Sequence, residues 1–411
     1  MSEKIVIVGN GIAAITAIKS IRQIDTVSEI HLFGDERFYP YNRVALSKGL
    51  INKLEEDKIL LQKKDWYKEN NVNLNIDTKV VSINTDRREV ELSKGTKVSY
   101  TKLLLANGAK NRVPPVKGIN KKGVLTLKTL QDARKIIDEI KDMETIVNIG
   151  GGIQGLETAW TLSKLGKKVI IAEISERLMP KELDKKASKI LERAIKNHNI
   201  KVMLNTEVNE VLGENKVKGF KTKDGIVIEC DGVVYSIGIK PNIDILEGTG
   251  IETNYGVIVN EKMETNVKDV YAAGDVAEYD NNIYGLWNIA IGQGKVAGYN
   301  MVGKEAIYEH IVPVTRLSAF NLSLFSMGDV NEADASEILV EDNSEKNSYK
   351  KILIKDNKVI GAVVIGNIKS SPVLKKAIEN ETDLSGIDYK NMSIDEFVDT
   401  LKSKKRKLIM K

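Results

Sequence analysis

The chain has 411 residues, 42% of them hydrophobic and 29% charged, with 62 basic side chains against 57 acidic ones and a formal net charge of +5. This length exceeds one ordinary core, so two or three domains are expected, and the composition is that of a soluble globular protein and not a disordered one. No window approaches the roughly 18 to 20 uninterrupted apolar residues of a membrane helix, the mild basic excess does not demand nucleic acid, and no processing site follows the apolar N-terminus, so a cytoplasmic protein is expected.

The first element is the stretch IVIVGNGIAA, Ile5 to Ala14. It reads as a strand, a tight turn and the amino end of a helix, with Gly9, Gly11 and Ala14 in the three small positions of G-x-G-x-x-A. Such a turn aims backbone N–H groups and the positive end of a helix dipole at a pyrophosphate. A helical pattern runs on to about Arg22 and a short strand covers Ile30 to Phe33, which completes a βαβ unit. Past that strand stand Gly34 and the acids Asp35 and Glu36, either of which is a candidate for a ribose hydroxyl. From Val80 to Ala109 the alternation of apolar and polar residues predicts hairpin strands ending in a buried parallel strand, Leu103 to Ala106. A helix is expected over roughly Leu130 to Lys141.

The plan then repeats in IVNIGGGIQGLE, Ile146 to Glu157, where Gly150, Gly152 and Gly155 hold the small positions. One such turn is a weak signal, because any glycine-rich βα turn imitates it. Two, about 140 residues apart and each with the right flanks, are much stronger. The strand Ile146 to Ile149, a helix to about Leu165 and the strand Val169 to Ala172 lead to Glu173, 18 residues beyond Gly155. A carboxylate there accepts from a free ribose 2′-hydroxyl and repels a 2′-phosphate, so NADH is expected over NADPH.

Cys230 is the single cysteine. It excludes an internal disulfide, a Cys-x-x-Cys redox pair, a cysteine-ligated iron–sulfur cluster and a multi-cysteine zinc site, so electrons must travel on a bound cofactor. The three histidines, His31, His198 and His310, lie far apart without ligand spacing, and no metal site is expected. Next come DGVVYSIGIKPN, Asp231 to Asn242, a buried strand with a glycine turn, and NVKDVYAAGDVAEY, Asn266 to Tyr279, a strand running into Gly274 and Asp275. A helix starts near Trp287. The remainder reads as strands such as YKKILIK and KVIGAVVIG followed by helices around SPVLKKAIEN and SIDEFVDTLK, and the basic tail from Leu401 to Lys411 as a solvated helix end.

Two dinucleotide motifs, then LLLANGA, SIGIKPN and VYAAGDVAE in this order, resemble FAD-dependent pyridine nucleotide oxidoreductases. YPYNRVALSKGL, Tyr39 to Leu50, points to the branch without a redox disulfide: NADH:rubredoxin reductases, ferredoxin reductases and the flavin half of NADH nitrite reductases. The resemblance implies an α/β fold with two Rossmann-like dinucleotide-binding domains, for FAD and NAD, and a C-terminal α+β interface domain. The expected boundaries are 1–112 and 243–305 for FAD, 113–242 for NAD and 306–411 for the interface domain. It also implies site residues. Gly9, Gly11, Ala14, Arg43, Lys48, Asn107, Gly108, Gly274, Asp275 and Trp287 would face FAD, with Asp35 or Glu36 on its ribose. Gly150, Gly152, Gly155, Glu157, Glu173 and Gly238 would face NAD. Lys48 near the flavin N5 and Glu157 beside the nicotinamide are the catalytic candidates, since an ammonium there stabilises charge gathering on reduced flavin. Asp275 would bind the ribityl chain, and Trp287 would stack near the ring system or lie on an electron exit path. Asn107 stands where the family usually carries threonine, and YNRVALSK lacks the proline common after its arginine.

The expected function is therefore that of an enzyme passing electrons from NADH through FAD to a small iron protein, rubredoxin first and a ferredoxin second, as a monomer or homodimer. A second expectation is the flavin module of an NADH-dependent nitrite reductase whose cluster domains are separate subunits. A third, supported only by the basic tail, is an NADH-sensing flavoprotein that regulates a partner.

Overall fold

Both glycine motifs follow strands of β-branched and aliphatic residues, the composition of parallel strands covered on both faces. Ile5, Val6 and Ile7 are fully buried in Lys4–Val8, and Ile146, Val147 and Asn148 in Thr145–Ile149. The computed structural model describes residues 3–51, 54–309 and 311–409; His310 and the last two residues of the basic tail lie outside them. Internal contacts divide the chain into two units. The first comprises Met1–Arg112, Lys128–Leu130 and Gly238–Ile311, and the second Val113–Leu127, Gln131–Ile237 and Val312–Lys411.

In the first unit a five-stranded parallel sheet has the order Val270–Ala272, Lys102–Leu105, Lys4–Val8, Glu29–Phe33, Val72–Asn75. The strand order reverses beside Lys4–Val8, and open α/β sheets bind ligands at the carboxyl ends of strands at such a reversal. The helix Ile12–Arg22 packs on the helix Trp287–Met301. Gly294 and Gly298 permit the approach, because a Cβ at either would collide with the carbonyl of Ala13 or Ala17. A three-stranded antiparallel sheet, Val80–Asn84, Glu89–Leu92 and Lys97–Ser99, carries the predicted hairpins. Where the chain leaves and re-enters this unit, Ala109–Asn111 and Ile239–Pro241 pair antiparallel.

The second unit repeats the parallel sheet in the order Ile200–Met203, Lys168–Ala172, Thr145–Ile149, Gly232–Tyr235, Val124–Thr126. Its last part forms a five-stranded antiparallel sheet: Val314–Ala319, Leu322–Gly328, Lys358–Ile365, Ser348–Lys355, Glu337–Asn343. The helices Ser371–Glu379 and Ile394–Ile409 pack on it around Phe325, Ile352, Leu374 and Phe397. This is the α/β architecture that the sequence predicts.

A buried polar joint fastens that sheet to the dinucleotide part of the same unit. Lys351, 1% exposed, pairs with Asp184 at 3.2 Å and with Glu332 at 2.6 Å. Asp184 caps the helix Lys185–Lys196, accepting from the N–H groups of Lys186 and Ala187, and accepts from the Tyr349 hydroxyl at 3.0 Å. Beside it the Ser326 hydroxyl donates to the Glu182 carbonyl at 2.5 Å. Phe320, held at φ +56°, packs between Trp160 and His198. Among the described residues, no helix is long and apolar enough to cross a membrane.

Candidate functional site

Gly9 adopts φ +96°, which favours glycine, and a Cβ there would collide with the Ala106 carbonyl. Gly11 is the N-cap of Ile12–Arg22 and is extended; the helix has no side-chain cap and no acid in its first turn. A Cβ at Gly11 would meet nothing within 4 Å. The first-turn N–H groups are thus left for an external acceptor, and a pyrophosphate supplies both the oxygens and the charge that they favour. Ala14 is fully buried on this helix.

Two further turns converge here. Asn107 donates through Nδ2 to the Asn242 carbonyl, and Asn242 returns the bond to the Asn107 carbonyl, both at 2.7 Å. Gly108, at φ +63°, has open space where a Cβ would lie. Asparagine therefore keeps the tight turn and adds a clasp between the chain's outgoing and returning passages. Gly274, at φ +83°, has Ala13 and Ala290 as the neighbours that a Cβ would touch, and its N–H donates to the buried Gln293 at 2.8 Å.

Polar side chains surround these turns. Arg43 Nη2 reaches Glu36 Oε1 at 2.5 Å, and Nη1 donates to Tyr41 Oη at 3.0 Å and to the Lys128 carbonyl at 3.1 Å. Tyr41 donates to Glu36 Oε2 at 2.7 Å and accepts from Leu130 N–H at 2.8 Å. Burial pushes the Tyr41 hydroxyl pKa up, so it stays a donor. Lys128 Nζ pairs with Asp275 at 3.0 Å. The first unit thus brings Glu36, Arg43 and Asp275 into one chain of contacts through Tyr41 and Lys128, neither of which the sequence reading singled out. Nothing in the sequence flags Lys128, 147 positions from Asp275. Asp35 is exposed, as is Lys48 in the short helix Leu46–Gly49, and Trp287 is the half-buried first residue of its helix.

In the second unit Gly150 stands at φ +108°, and a Cβ there would collide with the Ser236 carbonyl. Gly152 is the uncapped, extended N-cap of Ile153–Lys164, and a Cβ at Gly155 would collide with the Gly150 carbonyl. The backbone N–H of Gly151, which the motif leaves unspecified, donates to Glu173 Oε2 at 2.5 Å, and a Cβ there would crowd Leu178 and that carboxylate. Glu173, 7% exposed, also accepts from Ser175 N–H at 2.8 Å. Two of its roughly four lone-pair sites stay available for a ribose diol. The helix starts at Ile153, so Glu157 lies in its second turn and is half-buried. Gly238, read from sequence with this set, falls in the first unit, at φ +101°, with its carbonyl accepting from Arg112 N–H at 2.9 Å.

Residues 3–294 match the family model described as pyridine nucleotide-disulphide oxidoreductase. The chain belongs to this family. Residues 313–382 match a second model, the rubredoxin NAD+ reductase C-terminal domain. A nitrite reductase [NAD(P)H] of Bacillus subtilis is 33% identical over 93% of this chain and 48% of its own length. An NADH-rubredoxin oxidoreductase of Clostridium acetobutylicum is 33% identical over 94% of this chain and 97% of its own. The crystal structure of NADH:rubredoxin oxidoreductase from Clostridium acetobutylicum superposes with a TM-score of 0.80 at 31% identity, covering 97% of this chain and 100% of that one. The chain spans about half the length of the two Bacillus subtilis relatives it matches, 48% of one and 50% of the other.

The residues present fit the family's cofactor pair. Each unit offers an uncapped helix behind a left-handed glycine, and only the second follows its next strand with a buried carboxylate. The family's disulphide has no counterpart. Cys230 is buried, and burial, with Asp231 adding to it, pushes its thiol pKa up to about 12, far from a reactive thiolate.

Proposed function

We propose that the chain is a FAD-dependent NADH oxidoreductase that delivers electrons to a small iron protein, rubredoxin first and a ferredoxin second. The observation that carries this reading is the duplicated glycine turn on a chain similar to an NADH-rubredoxin oxidoreductase along nearly its whole length. FAD, when bound, takes hydride as two electrons and releases them singly, which an iron centre requires.

In this reading the turn of Gly9, Gly11 and Ala14 holds the FAD pyrophosphate. Asn107, Gly108, Gly274, Asp275 and Trp287 line its further course, and the contacts of Arg43 with Glu36 and Tyr41 keep that guanidinium aimed. Lys48 supplies a cation at the flavin edge. The turn of Gly150, Gly152 and Gly155 holds the NADH pyrophosphate, and Glu173 reads its free ribose. Glu157 lies beside the nicotinamide.

A second reading, the flavin module of a nitrite reductase, is favoured by the equal identity to the Bacillus subtilis enzyme. Anaerobic stopped-flow separates the two. NADH should bleach the flavin absorbance near 450 nm within the turnover time, and rubredoxin should restore it much faster than oxygen does. Fast bleaching with no preferred protein acceptor would favour the second reading. A protein that takes up no FAD would overturn both.

A further inference from the structure

The two dinucleotide halves set the same backbone positions in the same hydrogen-bond frame. Gly9 N–H donates to Phe33 at 2.8 Å and Gly34 N–H to Asn75 at 2.9 Å; Gly150 N–H donates to Ala172 and Glu173 N–H to Met203, both at 2.9 Å. Thr78 N–H then meets the Gly34 carbonyl and Thr206 N–H the Glu173 carbonyl, both at 2.8 Å. Gly34 therefore stands where Glu173 stands, and Asn10 stands where Gly151 stands.

Their side chains are exchanged. In the second half the Glu173 carboxylate covers a bare Gly151, and a Cβ on Gly151 would press on that carboxylate. In the first half the Asn10 amide covers a bare Gly34, and a Cβ on Gly34 would collide with Asn10 Nδ2. Asn10 is 7% exposed, and its amide has no hydrogen-bond partner among the described residues. The two acids that follow do not fill the place. Both Glu36 oxygens are engaged by Arg43 and Tyr41, and Asp35 is exposed one residue past the strand-end position.

We propose that the Asn10 amide reads the adenosine ribose of FAD, in the place that a carboxylate takes in the second half. A carboxamide offers two N–H donors and a carbonyl acceptor, and a ribose diol offers both kinds of group in return. The Asn10 amide makes no hydrogen bond within the described residues and keeps a small opening to solvent, so its donors and acceptor are available to the arriving diol. The two halves then tell their dinucleotides apart by one exchanged pair: neutral amide over glycine for FAD, carboxylate over glycine for NADH. This inference rests on the reading that the first turn binds FAD.

The test is a binding titration of apoprotein with FAD and with its analogue lacking the adenosine 2′-hydroxyl, followed by quenching of flavin fluorescence. The native chain should prefer FAD by about fivefold, the size of one neutral hydrogen bond, and Asn10→Ala should erase the preference while still binding flavin. The double variant Asn10→Gly with Gly34→Glu rebuilds the second half's arrangement and should restore it, which keeps the test alive if the single variant does not fold. A preference that survives Asn10→Ala and disappears in Asp35→Ala would transfer the role to Asp35 and overturn the proposal. Equal affinity of the native chain for both flavins would also overturn it. Failure of the native apoprotein to bind any flavin would instead bring down the FAD reading beneath it.

Discussion

Gly9 and Gly150 share a left-handed φ, +96° and +108°, and each donates its N–H to the last residue of the strand beyond its helix. Each is followed by an uncapped helix, Ile12–Arg22 in one unit and Ile153–Lys164 in the other. Past that shared backbone the units diverge. The first collects Glu36, Tyr41, Arg43, Lys128 and Asp275 into a set of charged and hydrogen-bonded contacts, and its helix is crossed closely by Trp287–Met301. The second leaves one buried carboxylate beside the turn, and its helix carries Trp160 onto Phe320. A pyrophosphate needs only the common part. The additional fixed contacts of the first unit are therefore what sets the two turns apart.

The comparison breaks most completely at the glycines. Alanine at Gly9 or Gly150 meets both the φ penalty and a backbone carbonyl, a loss of about 3 kcal/mol or more at that turn. Gly9→Ala should yield colourless protein. Gly150→Ala should stay yellow and bleach with NADH at least a hundredfold more slowly; equal loss of flavin in both variants would show that the turns are not separate sites. Next in size is Lys48→Ala, expected to slow flavin reduction by NADH about tenfold, or ~1.4 kcal/mol of barrier, with FAD content unchanged. An unchanged bleaching rate would remove Lys48 from the mechanism. Glu173→Ala should narrow the NADH over NADPH preference about fivefold, read as the ratio of kcat/KM values, without altering flavin affinity. If the ratio holds, another residue reads the ribose. Smallest is the response of Cys230. With its pKa near 12, it should resist thiol-alkylating reagents in the native state at pH 8 and react only after denaturation. Rapid native labelling would contradict its burial.

Much of this architecture is legible in the sequence because the relevant signals are local. The glycine spacing marks both turns, and runs such as IVIV and VIIA, with β-branched residues on both faces, mark central parallel strands. KVIGAVVIG is likewise legible as a strand because Lys358–Ile365 is almost wholly buried. The edge strand Glu337–Asn343 escapes the reading, since its apolar residues Ile338, Leu339 and Val340 are consecutive and show no apolar–polar alternation, although in the fold exposed and half-buried positions alternate. Site residues follow the same division. Glu173 is legible as a candidate because it ends a strand at a fixed distance from a motif. Lys128 and Tyr41 join residues far apart in sequence, and Asn10 gains meaning only when Gly34 is seen to occupy the position of Glu173. Complementary volumes of that kind leave no trace in spacing.

The joint around Lys351 bears on modular engineering. A lysine that is 1% exposed, tied at once to the helix-capping Asp184 and to Glu332, makes the C-terminal sheet a poor interchangeable cassette. Grafting that sheet from a relative with an apolar residue at the position would remove the buried cation paired with Asp184 and leave the carboxylate its helix-capping bonds without that charge partner, a destabilising change. A chimera that carries the aspartate and the lysine together avoids the mismatch, so the natural unit of recombination runs from the 184 cap through the last strand and not from the start of the C-terminal sheet.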